Sequence, residues 1–408
     1  MLPGPGDHDR RGLIVNRVVI VGASLAGVSA ADELRVRGFQ GEITLIGAET
    51  HLPYNRPPLS KQALASAISG TVWDDDGLAL RPQGWYEDHG VTLRLGSAAT
   101  ALDVEGRTVC LADGAILDYD GLVIATGSQL RRLALVRDLP AAHELRTKDD
   151  AVRLADSLRK CGHLVVVGAG FIGMEVAATA RSLGNEVTVI DVAATPMSRV
   201  LGSELGDWFR RRHEHEGVRV QCSSGVAAFV PEGGRTRVNL VDGAEILADT
   251  LLVGIGTEPA TEWLRSSSLR LNDGVICYST LQAAHGVVAA GDVARWSGKS
   301  GSTRIEHWTN AVEQGVHAAA TLLGDAREFE HLPTLWTDQY DAKARCIGLP
   351  SSEDEVQILE QSDTSLVAVF AQHGRLTAAL CVNAPRRLAS LRQAVVDRMP
   401  LSELLSDR

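Results

Sequence analysis

The segment 165–178, VVVGAGFIGMEVAA, combines a glycine-rich turn with a carboxylate, Glu175, in an otherwise small and apolar helix. The glycines follow an apolar strand, 164–167, in the order Gly-x-Gly-x-x-Gly. The first glycine makes the tight turn, the second lets the backbone approach a pyrophosphate, and the third lets the helix pack on the strand. Free N–H groups at the helix N-terminus then face the phosphates. The sequence therefore predicts a dinucleotide site containing Gly168, Gly170, Phe171, Ile172 and Gly173.

An acidic residue follows this turn at the position that usually selects the coenzyme. A second strand, 186–190, ends at Asp191. A carboxylate there accepts hydrogen bonds from two ribose hydroxyls and repels a 2′-phosphate, so the sequence favours NADH over NADPH. Arg199, eight residues on, is the residue that could reach a phosphate instead.

A second copy of the same unit lies upstream, at 18–49. It contains Gly22-x-Ser24-x-x-Gly27, an amphipathic helix, a strand at 43–46, and Glu49 at the acid position. Ser24 replaces the middle glycine, and its hydroxyl could itself donate to a phosphate. Two dinucleotide units in one chain predict two cofactors, and the economical pair is FAD with NAD(P)H.

Composition limits the other classes of function. The chain has 408 residues, 45% hydrophobic residues, forty glycines and a net charge of −11, which fits a multidomain α/β protein and argues against a nucleic-acid binder. No run of eighteen apolar residues predicts a membrane span. The polar, Gly- and Pro-containing stretch 1–16 predicts a disordered leader rather than a signal peptide, and hence a cytoplasmic protein. Six scattered cysteines, none within 51–64, predict neither a metal site nor a redox disulfide.

The chain resembles a family of flavoproteins along nearly its whole length. The matching segments, in order, are PYNRPPLSK (53–61), LVIATGS (122–128), LRT (145–147), the second glycine turn, LLVGIGTEP (251–259), VVAAGDVARW (287–296), RIEHWTNAVEQG (304–315), WTDQYDAK (336–343) and VNAPRRLASLR (382–392). These are similar to the FAD-dependent NADH:ferredoxin reductases of oxygenase and cytochrome P450 systems. That group belongs to the pyridine nucleotide-disulfide oxidoreductases but lacks the redox disulfide.

The resemblance assigns a role to Glu175. It implies that Lys61, held by the stiff Arg56-Pro57-Pro58 corner, lies beside the flavin ring and pairs with Glu175. A buried carboxylate needs such a partner. The alternative is a solvent-facing glutamate on an ordinary helix. The implied catalytic residues are Lys61, Glu175 and Trp336, where Trp336 would lie at the exit edge for electrons; core packing is the equally weighted alternative for Trp336.

The same resemblance implies the cofactor contacts. Asp292 would bind the ribityl chain, and a helix starting within 304–315 would point its positive N-terminus at the pyrimidine end of the flavin, close to Trp308. We expect Asn310 with Glu313 to cap this helix, or Thr309 instead, and His307 to serve packing or hydrogen bonding. The cofactor-binding residues are then Gly22, Ser24, Leu25, Ala26, Gly27, Glu49, Arg56, Lys61, Ala125, Thr126, Gly127, Arg146, Gly168, Gly170, Phe171, Ile172, Gly173, Asp191, Arg199, Gly256, Gly291, Asp292, Glu306, His307 and Trp308.

The predicted fold is α/β, with two Rossmann-like domains of the glutathione-reductase kind and a C-terminal α+β domain. The leader would cover 1–16, the FAD domain 17–128 and 250–327, the NAD domain 129–249, and the C-terminal domain 328–408. In that last domain we expect strands near 355–360, 365–371 and 376–381.

The predicted function is transfer of hydride from NADH to FAD N5 and then of single electrons to a [2Fe–2S] ferredoxin, with a rubredoxin or [3Fe–4S] ferredoxin as alternatives. An NADH oxidase or a flavoenzyme with another acceptor ranks second, and an NADH-binding sensor third. No nucleic acid or membrane partner is predicted, and the chain would be a monomer or weak dimer. A ferredoxin-docking patch would include Arg295, Lys343, Arg345, Arg386 and Arg387. Asn55, Asp191, Thr337 and Ala344-Arg345 depart from the family pattern, the last where a partner would bind.

Overall fold

A computed structural model describes residues 15–71, 75–136, 139, 142–160, 162–298 and 301–406. All but the last two residues of the predicted leader lie outside these ranges. The strands are β1 (Arg17–Val21), β2 (Glu42–Ile46), β3 (Val91–Arg94), β4 (Ala99–Asp103), β5 (Thr108–Leu111), β6 (Ile116–Asp118), β7 (Gly121–Ile124), β8 (Ser128–Leu130), β9 (Ala142–His143), β10 (His163–Val167), β11 (Glu186–Ile190), β12 (Arg219–Gln221), β13 (Val226–Glu232), β14 (Arg235–Leu240), β15 (Glu245–Ala248), β16 (Thr250–Val253), β17 (Thr257–Pro259), β18 (Val275–Cys277), β19 (Gln282–Ala284), β20 (Val287–Ala289), β21 (Ala294–Gly298), β22 (Gly301–Thr303), β23 (Thr334–Gln339), β24 (Ala342–Gly348), β25 (Glu355–Gln361), β26 (Leu366–Gln372) and β27 (Arg375–Val382).

The helices are α1 (Leu25–Val36), α2 (Gln62–Ile68), α3 (Asp75–Leu78), α4 (Gln83–Asp88), α5 (Lys148–Leu158), α6 (Phe171–Ser182), α7 (Ser198–His215), α8 (Trp308–Leu322), α9 (Pro385–Val396) and α10 (Leu401–Ser406). Short 3-10 turns include Pro57–Ser60 and Gly291–Val293. Among the described residues, no helix is long and apolar enough to cross a membrane.

The chain forms two compact units. The first unit comprises Met1–Asn55, Asp75–Gln129 and Glu258–Pro333, and the second comprises Arg56–Asp74, Leu130–Thr257 and Thr334–Arg408. The predicted division into FAD, NAD and C-terminal domains stays a prediction.

A six-stranded sheet forms the centre of the first unit, in the order β19-β20-β7-β1-β2-β3. All its neighbouring strands are parallel except β19 and β20. β1 is buried because RVVIV is almost wholly apolar, and such runs suit a parallel sheet covered on both faces. Since β2 and β7 flank β1, the strand order reverses at the carboxyl end of β1, where open α/β sheets bind ligands.

A parallel sheet also forms the centre of the second unit, in the order β12-β11-β10-β16-β9. Here β10 lies between β11 and β16, so the order reverses at its carboxyl end too. An antiparallel sheet, β23-β24-β27-β26-β25, forms from the C-terminal residues. Its core is shared with α7, whose Leu201, Leu205 and Phe209 pack with residues such as Leu335 and Phe370.

The observed elements confirm most of the predicted ones. The strand predicted at 186–190 is β11, and the strands predicted near 355–360, 365–371 and 376–381 are β25, β26 and β27. The predicted cap of α8 is wrong. Its N-cap is His307, while Asn310 is fully buried and donates through Nδ2 to the Ile305 carbonyl, 2.9 Å away. Burial therefore competes with the local capping pattern at Asn310.

Candidate nucleotide sites and the Lys61–Glu175 pair

The first glycine turn joins β1 to α1 and leaves no room for a side chain at its first and third glycines. Gly22 has φ +120°, and a Cβ there would lie 2.0 Å from the Ala125 carbonyl oxygen at the end of β7. Gly27 is packed as tightly, because its Cβ would lie 2.1 Å from the Gly22 oxygen. Ser24 is the extended N-cap of α1, and its side chain makes no capping hydrogen bond. This cradle fits a pyrophosphate, which would take the N–H groups at Leu25 and Ala26.

Glu49, the predicted acid of the first unit, accepts a hydrogen bond from a neighbouring side chain. The Tyr54 hydroxyl donates to Glu49 Oε2 at 2.5 Å, which fixes the carboxylate just beyond the end of β2. Ala125, Thr126 and Gly127 follow β7, and Thr126 Oγ1 donates to the Ala260 carbonyl at 2.9 Å. The first unit therefore brings the predicted turn, the acid and the 125–127 segment to the carboxyl ends of its central strands.

Asp292 lies in the 3-10 turn Gly291–Val293 that follows β20. The Ser128 hydroxyl donates to Asp292 Oδ2 at 2.8 Å. The Gly291 N–H donates to Gln314 Oε1 on α8 at 2.8 Å, so the turn is tied to that helix. The sequence reasoning missed Ser128 and Gln314 as the residues that hold this turn.

The N-terminal end of α8 contains buried polar atoms without a hydrogen-bond partner among the described residues. They are His307 Nδ1, Asn310 Oδ1 and Gln314 Nε2. Burial, with a smaller contribution from His331, lowers the pKa of His307 to about 4, so the ring is neutral at pH 7. Trp308 donates from Nε1 to Asn55 Oδ1 at 2.9 Å, and Arg304 forms an ion pair with Glu306. Orphaned buried groups fit a site that a polar ligand completes.

The second glycine turn has the same geometry. Gly168 has φ +110°, and a Cβ there would lie 2.2 Å from the Gly254 oxygen. The Cβ of Gly173 would lie 2.1 Å from the Gly168 oxygen, whereas a Cβ at Gly170 meets nothing within 4 Å. The open side of Gly170 is where a pyrophosphate would approach. Phe171 and Ile172 form the first turn of α6.

Asp191 bonds to the turn itself. Its Oδ2 accepts from the Ala169 N–H at 2.5 Å, and its Oδ1 accepts from the Ala193 N–H at 2.7 Å. The carboxylate keeps further lone pairs, since two oxygens have about four acceptor sites. Arg199 is exposed in the first turn of α7. The sequence reasoning did not predict that Asp191 would brace the glycine turn.

Glu175 is buried and forms an ion pair with Lys61. It is 5% exposed, and the Lys61 Nζ lies 2.7 Å from its Oε2. Ser60 Oγ donates to the same oxygen at 2.5 Å, and Thr337 Oγ1 donates to Oε1 at 2.8 Å. All four residues belong to the second unit. A solvent-facing Glu175 is therefore excluded, and the predicted pairing with Lys61 is present.

The stiff corner holds Lys61 in place. Lys61 Nζ also donates to the Pro57 carbonyl at 3.1 Å, within the 3-10 turn Pro57–Ser60. Arg56 donates to the Arg146 carbonyl at 2.7 Å. Sequence reasoning missed Ser60 and the donor role of Thr337; the signal was the polar pair Thr337 and Gln339 on the inward face of β23, whose burial alternates.

The remaining predicted positions lie in the second unit. Gly256, with φ +107°, accepts at its oxygen from the Arg131 N–H, 3.0 Å away. Trp336 is half-buried on β23, with Arg345 opposite it on β24. Its role in electron exit stays a prediction.

Ion pairs reduce the free charge of the predicted docking patch. Arg345 lies 2.6 Å from Asp338, and Arg387 lies 2.7 Å from Glu360. Arg295, in the first unit, forms an ion pair with Asp273. Lys343 and Arg386 are exposed in the second unit.

Family models and curated relatives match this chain. Residues 16–315 match the model for pyridine nucleotide-disulphide oxidoreductases, and residues 334–405 match the reductase C-terminal model. The chain belongs to the pyridine nucleotide-disulphide oxidoreductase family. Rhodocoxin reductase of Rhodococcus erythropolis is 37% identical, with 94% of this chain and 90% of the relative covered. The ferredoxin–NAD(+) reductase subunit of the benzene 1,2-dioxygenase system of Pseudomonas putida is 35% identical, with 92% and 91% covered.

A solved structure gives the same result. The covalent complex of putidaredoxin reductase with putidaredoxin matches with a TM-score of 0.88 at 33% identity, covering 94% of each chain. The predicted family, the α/β fold class, the oxidoreductase class and the cofactor pair FAD and NADH are thereby confirmed. The residue assignments remain predictions that rest on the geometry described above.

Proposed function

We propose that this protein is an NADH-dependent flavoprotein reductase that passes electrons to a [2Fe–2S] ferredoxin serving a cytochrome P450 or a Rieske-type oxygenase. The observation that carries the proposal is the buried Lys61–Glu175 pair. The lysine of the pair lies in the region, 51–64, where flavin disulfide reductases carry a redox cysteine pair and where this chain has no cysteine. The Pseudomonas putida relative supports the ferredoxin as acceptor, because it is named as the ferredoxin–NAD(+) reductase subunit of a dioxygenase system.

The chain's own residues supply binding, position and charge. In the first unit, the turn at Gly22, Ser24 and Gly27 would bind the FAD pyrophosphate, Glu49 a ribose hydroxyl, and Asp292 the ribityl chain. The N–H groups that begin α8, after His307, would stabilise negative charge on the flavin. We assign these residues to an FAD domain, 17–128 and 250–327.

The second unit would bind NADH through the turn at Gly168, Gly170 and Gly173. Asp191 would accept hydrogen bonds from the ribose hydroxyls and repel a 2′-phosphate, which would select NADH. We assign 129–249 to the NAD domain and 328–408 to the C-terminal domain.

FAD supplies, when bound, the capacity to accept a hydride and to release single electrons. Lys61 and Glu175 would orient the nicotinamide and balance charge during transfer, because each is held by several hydrogen bonds.

Docking of the ferredoxin would use the exposed cations Lys343 and Arg386 of the C-terminal sheet domain. An acidic ferredoxin would be steered there electrostatically, so turnover should fall as salt rises. A rate that does not change with salt would contradict this surface. We further propose that the protein works in the cytoplasm as a monomer or weak dimer.

The test is an anaerobic absorbance titration of the purified protein with NADH, followed by oxidised [2Fe–2S] ferredoxin. We expect the flavin spectrum to bleach with NADH and to recover while the ferredoxin bleaches. A flavin that NADH does not bleach would overturn the hydride half of the proposal. If NADH bleaches the flavin but the ferredoxin stays oxidised, the proposal that a ferredoxin is the electron acceptor is overturned. Rapid re-oxidation of the flavin by O₂ would then favour the NADH oxidase alternative.

A further inference from the structure

A chain of buried polar side chains leads away from Glu175 in the second unit. Thr337 and Gln339, each 1% exposed, lie on the inward face of β23, and His213, 0% exposed, lies on α7. Gln339 Nε2 donates to Thr337 Oγ1 at 3.1 Å, and Gln339 Oε1 lies 2.9 Å from His213 Nε2. Tyr340 Oη lies 3.3 Å from His213 Nδ1.

The direction of every hydrogen bond in this series of side chains follows from the chemistry of the donor and acceptor groups. Because an amide oxygen can only accept, His213 must carry its proton on Nε2. In the neutral ring, Nδ1 is then the acceptor, and Tyr340 donates to it. Burial lowers the pKa of His213 to about 4, which keeps the ring neutral. Every donor therefore points one way, from Tyr340 through His213, Gln339 and Thr337 to Glu175.

Tyr340, the side chain farthest from Glu175 in this hydrogen-bonded series, is also fixed. The Tyr340 ring packs against His213 with centroids 5.0 Å apart, and the Arg212 guanidinium lies 5.8 Å from the Tyr340 ring centroid. Arg212 forms ion pairs with Glu216 at 2.8 Å and Asp341 at 2.6 Å. The hydrogen bonds that join Tyr340, His213, Gln339, Thr337 and Glu175 form a continuous buried network, and such networks rigidify their surroundings. An apolar side chain at Thr337 would have sufficed for packing, so the alignment of donors on Glu175 calls for another explanation.

We infer that Thr337, Gln339 and His213 are positioning residues that hold the Glu175 carboxylate, and through it Lys61, in the geometry needed for hydride transfer. This inference rests on the proposed function. It gives the C-terminal sheet a part in the hydride step, because Thr337 and Gln339 belong to β23. Without Thr337, Oε1 of Glu175 loses its donor, and the carboxylate can rotate away from Lys61.

The experiment measures flavin reduction by NADH in the holoenzyme by anaerobic stopped-flow absorbance, over a range of NADH concentrations. Thr337→Val removes the donor at nearly constant volume, and Thr337→Ser keeps it. We expect the limiting rate to fall roughly tenfold in Thr337→Val with an almost unchanged Kd for NADH, and Thr337→Ser to restore it. Gln339→Met, which breaks the next link, should lower the rate by roughly threefold.

Thr236→Val is the matched control, since Thr236 is a buried threonine on β14 outside the chain of donors. A Thr337→Val limiting rate equal to that of Thr236→Val overturns the inference while leaving the proposed function intact. If Thr337→Val does not retain FAD, Gln339→Met takes its place. A limiting rate of flavin reduction in Gln339→Met equal to that of Thr236→Val then overturns the inference. A wild-type flavin that NADH does not reduce overturns both the inference and the proposed function.

Discussion

The two glycine turns share one geometry, but the helices that follow them are used differently. Two residues after the third glycine, α1 carries Ser29 and α6 carries Glu175. Ser29 faces a close helix contact, since a Cβ at Gly315 of α8 would lie 2.9 Å from the Ser29 Cβ. Glu175 instead accepts three side-chain donors. The same backbone unit thus provides packing in the first unit and a fixed charge in the second.

Removing the negative charge of Glu175 should have the largest effect on the rate of flavin reduction. In Glu175→Ala, Lys61 would lose its buried partner, and such a loss is costly because the remaining charge is uncompensated. We expect the limiting rate of flavin reduction by NADH to fall between about tenfold and a hundredfold, as measured by stopped-flow absorbance.

Ser29→Ala is the counterpart in α1 and should leave that rate unchanged. A Glu175→Ala variant reduced as fast as the wild type would show that the pair is purely structural, and the comparison between the two helices would fail.

The packing role of α1 predicts the next largest effect. In Gly315→Ala the added methyl would lie 2.3 Å from the Ala26 carbonyl oxygen, so α1 and α8 must separate. Overpacking of this kind costs about 1–3 kcal/mol. We expect the thermal unfolding midpoint to fall by a few degrees and FAD to be released more readily. Gly84→Ala is the control, because a Cβ at Gly84 meets nothing within 4 Å; equal midpoints would contradict the tight helix contact.

The two acids sharpen the comparison further. Asp191 braces the backbone of its own glycine turn, whereas Glu49 accepts the Tyr54 hydroxyl. Asp191→Asn should therefore raise the KM for NADH roughly tenfold and reduce the preference over NADPH, since charge repulsion against a 2′-phosphate is lost. Steady-state kinetics with both coenzymes measure this. An unchanged preference would show that Asp191 serves the turn alone.

How much of this site was predictable depends on the range of each interaction. The glycine turns could be predicted from the residues alone, because local sterics require glycine at Gly22 and Gly168. The Lys61–Glu175 pair was predicted from the family resemblance, which named the partner that a buried carboxylate requires. Ser60 and Thr337 were missed as donors because their contact with Glu175 depends on tertiary packing. The cap of α8 was predicted wrongly for the same reason, because burial of Asn310 overrides a local pattern.

Substitution of Ser24 should have the smallest effect, and it tests whether the two glycine turns are interchangeable in dinucleotide binding. Its side chain does not cap α1, so Ser24→Gly costs the helix only a few tenths of a kcal/mol. The glycine would ease approach of the FAD pyrophosphate but would remove a hydroxyl that could donate to it. Because these effects oppose each other, we expect the Kd for FAD, followed by flavin fluorescence, to change by less than about fivefold. The reverse change, Gly170→Ser, puts a hydroxymethyl group on the open side where a pyrophosphate would approach. If the two turns are interchangeable, the KM for NADH should change by less than about fivefold as well. A loss of FAD affinity beyond that range in Ser24→Gly alone would make the serine hydroxyl a phosphate ligand, and the two turns would then bind their dinucleotides by different means.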